Sequence, residues 1–317
     1  MSFSIRHVNE NGFDLVRLSD DNNGTAIDVL PGYGATLHGF WIREATGSLF
    51  NVIDSYRNAD ELKKDMSRTF KGPKLSPFPC RIPNGTYNFE GREYRFRHLF
   101  ADGTAIHGLL YDKPFKVTGE DADGAAMVAM ECRYDKADPG YPFQYHCLVR
   151  YELHPGGVLE VSTTVTNFDS VTIPIADGWH PYWRLGGSAN DWQLQFYSEA
   201  IVDFDERLVP TGGLTQYGAF ASSRPLGDAF LDNCFVMKPE LVSAACELYN
   251  PANGLRVSFF PAGSYPYLQI YTPATRDSIA VENLSGAPDC FNNKMGLILL
   301  PPGHSQIFTL RYKVSVG

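Results

Sequence analysis

The sequence predicts an all-β protein, a large antiparallel β-sandwich, and three observations carry that prediction. Apolar residues recur with period two along most of the chain, the spacing of half-buried strands. Helical periodicity is scarce, with a single short capped segment standing out. No internal repeat, low-complexity linker or break in composition divides the 317 residues. The expectation is therefore a single domain over residues 1–317, with ~twenty short strands whose edges are managed by curling and loop cover. At 44% apolar and 13% aromatic residues, the chain has enough material for a sizeable core.

The elements follow in order. Residues 4–8 and 13–18 read as a first pair of strands around the turn Asn9-Glu10-Asn11-Gly12, and residues 26–30, 36–42 and 48–52 continue the alternation. Asn58 is placed to cap a helix over residues 59–70. Charges on most faces of that segment predict a surface excursion rather than a core element. Tyr87/Phe89 and Tyr94/Phe96 alternate on either side of Glu90-Gly91-Arg92-Glu93, a hairpin signal. Residues 125–134, 143–153 and 158–167 form a nearly continuous run of strands, the last rich in β-branched side chains. Further strands are expected at 192–196, 201–204, 246–249, 255–260, 268–271, 278–283 and 306–314, with a turn-rich region at 210–226.

Composition narrows the function. A net charge of −9 without a basic stripe argues against a nucleic-acid partner. The six cysteines lie far apart, with no CxxC pair and no zinc-type Cys/His spacing, so free thiols are expected rather than a disulfide framework or a metal centre. The stretch Met1-Ser2-Phe3-Ser4-Ile5-Arg6-His7 has no basic segment followed by an apolar one, so no secretory signal is expected. No apolar run approaches the ~20 residues needed to span a bilayer. The expectation is a soluble, cytoplasmic protein with no membrane partner.

The chemistry centres on Ala176-Asp177-Gly178-Trp179-His180-Pro181-Tyr182-Trp183. His180 ends an apolar, strand-like run, and Pro181 directly after it biases the backbone to an extended form where a strand leaves its sheet. Tyr182 and Trp183 offer flat apolar faces with polar edges, which suit a sugar ring. The competing reading is a core histidine beside ordinary aromatic packing. Arg81, among three prolines, is either a brace for its loop or a ligand contact. His107 precedes Gly108, where backbone or ligand can approach closely, or is simply a loop histidine. Asp232 sits between apolar residues as a capping residue or as a site acceptor. Glu282 ends an apolar strand on a carboxylate.

If His107, His180, Asp232 and Glu282 converge, they supply a proton donor, a proton acceptor and a further acceptor for hydroxyls. No GxSxG elbow, nucleotide-type glycine pattern or HExxH motif offers another chemistry. Interconversion of sugar anomers needs one acid and one base and no cofactor. Five motifs follow one another along the chain: Arg81-Ile82-Pro83-Asn84-Gly85-Thr86-Tyr87 with Gly91 and Tyr94, Ile106-His107-Gly108, His180-Pro181-Tyr182-Trp183, Leu231-Asp232-Asn233 and Val281-Glu282-Asn283. Through these motifs in this order the sequence resembles the aldose 1-epimerases, or galactose mutarotases. The resemblance implies a β-supersandwich and cofactor-free mutarotation of a monosaccharide by a monomer or homodimer. On the matching positions, Glu282 would be the general base at the C1 hydroxyl and His180 the general acid at the ring oxygen. His107, Asp232 and Arg81 would bind the sugar, and Trp183 is expected to bind it through its aromatic face. Cys80, Leu109 and Trp183-Arg184 depart from the usual family pattern of asparagine, a second glycine and Phe-Asn, which leaves the sugar unassigned.

Two alternatives remain on the same scaffold. A hexose 6-phosphate mutarotase needs extra cations at the pocket, for which Lys74, Arg81, Arg92 and Arg184 are candidates. A non-catalytic sugar-binding protein needs neither acid nor base.

Overall fold

The computed structural model describes residues 3–44, 46–238 and 243–317. Met1 and Ser2 of the N-terminal stretch read above lie outside the described residues. Antiparallel pairing dominates, and short-range turn chemistry explains much of it. Phe3–Glu10 and Phe13–Asp20 are joined through Asn11 and Gly12, both at positive φ, as a two-residue hairpin turn requires. Thr25–Leu30, Thr36–Arg43 and Leu49–Asn51 extend this pair into a five-stranded meander. The hairpin Thr86–Phe89/Arg92–Arg95 closes more tightly than its sequence suggested, around Glu90 and Gly91 alone.

Two large sheets form the body. The nine-stranded sheet runs Lys116–Asp121, Ala126–Asp135, Gln144–His154, Val158–Asn167, Ser305–Val316, Leu255–Phe260, Cys246–Tyr249, Gln193–Phe196 and Arg224–Pro225. The eight-stranded sheet has Pro210–Gln216, Ser198–Phe204, Asp232–Met237, Tyr267–Tyr271, Ile279–Leu284, Gly178–Trp179 and Lys74–Leu75 in that order, with Tyr182–Trp183 also paired to Ile279–Leu284. The turn-rich region thus contributes an edge strand. Its proline is the first residue, where a missing ladder donor does least harm.

The two sheets pack face to face through aromatic side chains. Trp179 meets Tyr151 at 5.6 Å between ring centroids, and Trp183 meets Tyr312 at 4.9 Å and Phe259 at 5.2 Å. This is the sandwich that the period-two pattern predicted.

The helix Ala59–Thr69 forms where expected, with the Asn58 side chain accepting from the Glu61 N–H at 2.9 Å. It is not a surface excursion. Leu62 and Met66, one turn apart, are buried against Phe13, Leu15, Leu30 and Tyr56, and Phe70 closes the helix in the left-handed conformation on the same stripe. Charges on the other faces masked this narrow apolar seam. Among the described residues, all six cysteines are free and no helix is long and apolar enough to cross a membrane.

Candidate active site

Alternation along the eight-stranded sheet aims one set of side chains at a common face. Gln269 lies directly opposite Glu282, and Tyr271 opposite Asp232, across adjacent strands. All four line an open cavity of about 480 Å³, together with Phe70, Cys80, Arg81, His107, His180 and Tyr182. That volume lies in the usual range for small-molecule sites.

His180 enters from the end of Gly178–Trp179, its backbone carbonyl accepting from Gly72 N–H at 2.9 Å. Its Nε2 stands 3.3 Å from Glu282 Oε1, and its ring stacks on Tyr182 at 5.2 Å. His180 Nδ1, Glu282 Oε2 and Gln269 Oε1 are buried without a hydrogen-bond partner. A buried polar atom left this way is costly, and three of them belong to side chains that line one cavity.

His107 is held by the Arg81–Ile82/Ala105–Ile106 ladder. Beyond that ladder, His107 N–H donates to Cys80 O at 2.9 Å and Cys80 N–H donates to His107 Nδ1 at 3.2 Å. Since Nδ1 accepts, the neutral ring carries its proton on Nε2, leaving His107 a hydrogen-bond donor. Cys80 and His107 both sit at positive φ, 55° and 60°. Strain of this kind persists only where surrounding contacts enforce it. Gly108 explains the motif at this point. A Cβ there would lie 2.2 Å from Ser76 O, and its φ is +76°.

Burial dominates the electrostatics. It pushes His180 down to about 3 and His107 well below the ordinary imidazole value, with the Arg81 charge adding to both. Burial, and after it the Asp232 charge, hold the Glu282 carboxyl well above the usual range against the opposing pull of Arg81. Both partners are thereby driven toward their uncharged forms. Asp232 is raised by burial, opposed by Arg81 and by the Gln269 amide that donates to its Oδ1 at 2.9 Å.

The structure thus gathers Arg81, His107, His180, Asp232 and Glu282 around one cavity. Trp183 is the exception and corrects the sequence reading. It follows Tyr182 in a strand, so when Tyr182 faces the cavity, alternation turns Trp183 into the core, where it is 0% exposed. Three of the four candidate phosphate-binding cations also lie elsewhere. Lys74 is buried against Asp177, Arg92 covers Tyr94 and Arg184 covers Phe50.

Sequence reasoning missed Phe70, Gln269 and Tyr271. Phe70 packs on His107 at 4.6 Å and on His180 at 6.4 Å. The i, i+4 run Leu62-Met66-Phe70 pointed to it, and the alternation of strand Tyr267–Tyr271 pointed to the other two. The cavity also brings Cys80 Sγ, a His107 ring nitrogen and a Glu282 oxygen within 4.8 Å of one another, a donor set that can hold a metal ion.

An antiparallel supersandwich with a histidine–carboxylate pair on the floor of an open cavity defines the class. The aldose 1-epimerase family model matches residues 14–313, and the chain belongs to that family. It is 26% identical over 250 residues to YihR of Escherichia coli K12, covering 76% of this chain and 78% of that protein. It is 26% identical over 213 residues to a probable aldose 1-epimerase of Arthroderma benhamiae, covering 61% of this chain and 47% of that one. The galactose 1-epimerase of Lactobacillus acidophilus shares the fold, with a TM-score of 0.81 at 21% identity over 99% of this chain and 98% of that chain. A galactose mutarotase-like protein of Clostridium acetobutylicum superposes with a TM-score of 0.86 at 17% identity, covering 100% of this chain and 99% of its own.

Proposed function

We propose that this protein interconverts the α and β anomers of a free aldose, with Glu282 and His180 as the proton-transfer pair and no cofactor in the chemistry. The observation that carries the reading is the 3.3 Å approach of His180 Nε2 to Glu282 Oε1 in the cavity wall, with His180 Nδ1 and Glu282 Oε2 left unpartnered.

Ring opening removes the proton from the C1 hydroxyl and adds one to the ring oxygen. A histidine and a carboxylate holding one proton between them are matched to that exchange, because imidazole–carboxylic acid and imidazolium–carboxylate differ only in where the proton sits. Burial favours the uncharged form in the cavity without ligand. The hydroxyls of a bound sugar replace lost water around Glu282 and favour the carboxylate, which then acts as base while the His180 imidazolium acts as acid. The C1–O5 bond opens, the aldehyde turns about C1–C2, and the ring recloses with the two roles exchanged.

His107, donating from Nε2, braces the ring oxygen, while Asp232 and Gln269 accept from sugar hydroxyls and Arg81 donates to them. Tyr182 and Phe70 supply apolar faces for C–H surfaces. Lys74, Arg92 and Arg184 lie away from the cavity, and the two arginines that do line it, Arg68 and Arg81, are offset by Asp102, Asp232 and Glu282 on the same walls, so an unphosphorylated sugar fits better than a hexose phosphate.

Polarimetry or anomer-resolved NMR on freshly dissolved α-glucose and α-galactose tests the reading. Wild type speeds equilibration, and Glu282→Gln and His180→Asn do not. Equal rates with all three proteins would reduce the molecule to a sugar binder.

A further inference from the structure

We propose that Cys80, His107 and Glu282 form a three-ligand site for a thiophilic divalent cation, Zn²⁺ above all, whose fourth position opens into the cavity and whose occupation shuts the site to sugar. The three ligand atoms already lie within 4.8 Å of one another, and all three residues are buried. Tetrahedral zinc with bonds of about 2.0–2.3 Å sets its ligand atoms roughly 3.3–3.8 Å apart. Side-chain rotations that draw the donors in by about 1.5 Å at most therefore complete the site. Sulfur, imidazole and carboxylate are the zinc donor set, and hard cations such as Mg²⁺ do not favour it.

A second observation points to the same place. Glu282 is 2% exposed and its Oε2 has no hydrogen-bond partner. Among the described residues, no donor competes for that oxygen.

Two features oppose the metal and set the strength of the effect. His107 Nδ1 accepts from the Cys80 amide, so a metal on Nδ1 takes the lone pair that makes this 3.2 Å bond, and a metal on Nε2 moves the ring proton to Nδ1 and breaks it too. Arg81 on the same wall repels a cation. One neutral hydrogen bond and one screened repulsion weigh against bonds to a thiolate and a carboxylate, which deprotonate on binding. The balance gives a reversible inhibitory site rather than a permanent structural one.

The inhibition rests on the proposed role of Glu282 as base, whereas metal binding does not. Co²⁺ separates the two, because its tetrahedral thiolate complex absorbs without reference to any turnover. Chelator-treated protein titrated with Co²⁺ should develop a thiolate-to-cobalt charge-transfer band. Cys132→Ser, which changes a thiol elsewhere, should keep the band and lose it when Zn²⁺ is added, and Cys80→Ser and Cys80→Ala should not develop it. Zn²⁺ should slow mutarotation reversibly, with chelator restoring the rate. Absence of the band at a large excess of Co²⁺ overturns the site, as does a band that survives in both Cys80 variants. A normal band in a protein without mutarotase activity sustains the site and removes only the catalytic reading.

Discussion

Lys74 Nζ donates to Asp177 Oδ1 at 2.5 Å, and neither side chain is exposed. The same ammonium donates to Gly178 O at 2.9 Å, and Tyr265 O–H donates to Asp177 Oδ1 at 2.8 Å. Asp177 and Ser285 then clasp each other, the Asp177 N–H reaching Ser285 Oγ and the Ser285 N–H reaching Asp177 O, both at 2.8 Å. Asp177 lies three positions before His180, and Ser285 three positions after Glu282. The buried pair therefore ties together the two strands that carry the proposed acid and base.

Removing one partner leaves the other buried and uncompensated. Lys74→Met should destabilise the fold by about 3–5 kcal/mol, and adding Asp177→Leu should recover much of that loss. Urea denaturation of the two variants beside wild type checks both values. A double variant less stable than Lys74→Met alone would contradict this account.

The proposed acid and base act on one proton, so their losses should not add. Glu282→Gln or His180→Asn should each lower kcat for mutarotation by about 10²–10⁴-fold. The double variant should be barely slower than the worse single one, as for any residues that act as a unit. Polarimetric rates for the four proteins measure this, and fully multiplicative losses would mean that the residues act independently.

Trp183 separates packing from binding. Its ring lies 4.9 Å from Tyr312 and 5.2 Å from Phe259, between the sheets. Trp183→Ala should cost about 3–5 kcal/mol of stability by opening a cavity. Under conditions where the variant remains folded, its KM for the sugar should match wild type. A raised KM with unchanged stability would return Trp183 to the sugar site.

Much of this was legible in the chain. Period-two apolar spacing predicted the sandwich, because a sheet with one face buried writes that alternation directly into its sequence. Arg81, His107, His180, Asp232 and Glu282 could be named because each sits where a local signal breaks: a proline cluster, a His-Gly, a His-Pro, and carboxylates set in apolar runs. Convergence was not legible, since 102 positions separate His180 from Glu282 and only strand pairing brings them to 3.3 Å. Trp183 misled because both rings were weighed by aromatic character alone, and strand alternation sends Tyr182 and Trp183 to opposite faces. Gln269 was silent because a glutamine within a strand looks like any solvent-facing residue until its neighbour across the ladder is known. The metal-competent set Cys80, His107 and Glu282 has no sequence spacing at all; the fold assembles it.

His38 gives a dependence of stability on pH that does not involve the cavity. It sits at the irregularity where Thr36–Arg43 slips against Thr25–Leu30, its ring against Phe13 at 4.6 Å and its Nδ1 without a partner. Burial pushes it down to about 4 from 6.5, against the weaker pull of Asp28. The unfolded chain therefore takes up this proton first as pH falls. The histidine contributes no penalty above pH ~6.5, and stability is lost progressively between there and pH ~4, by roughly 2 kcal/mol at pH ~5. His38→Leu should flatten that slope while leaving the carboxylate contributions of the fold in place. Urea midpoints at pH ~7 and pH ~5 for both proteins give the comparison. Wild type should lose roughly 2 kcal/mol more than the variant between the two, and equal losses would show that the His38 ring is solvated in the folded state.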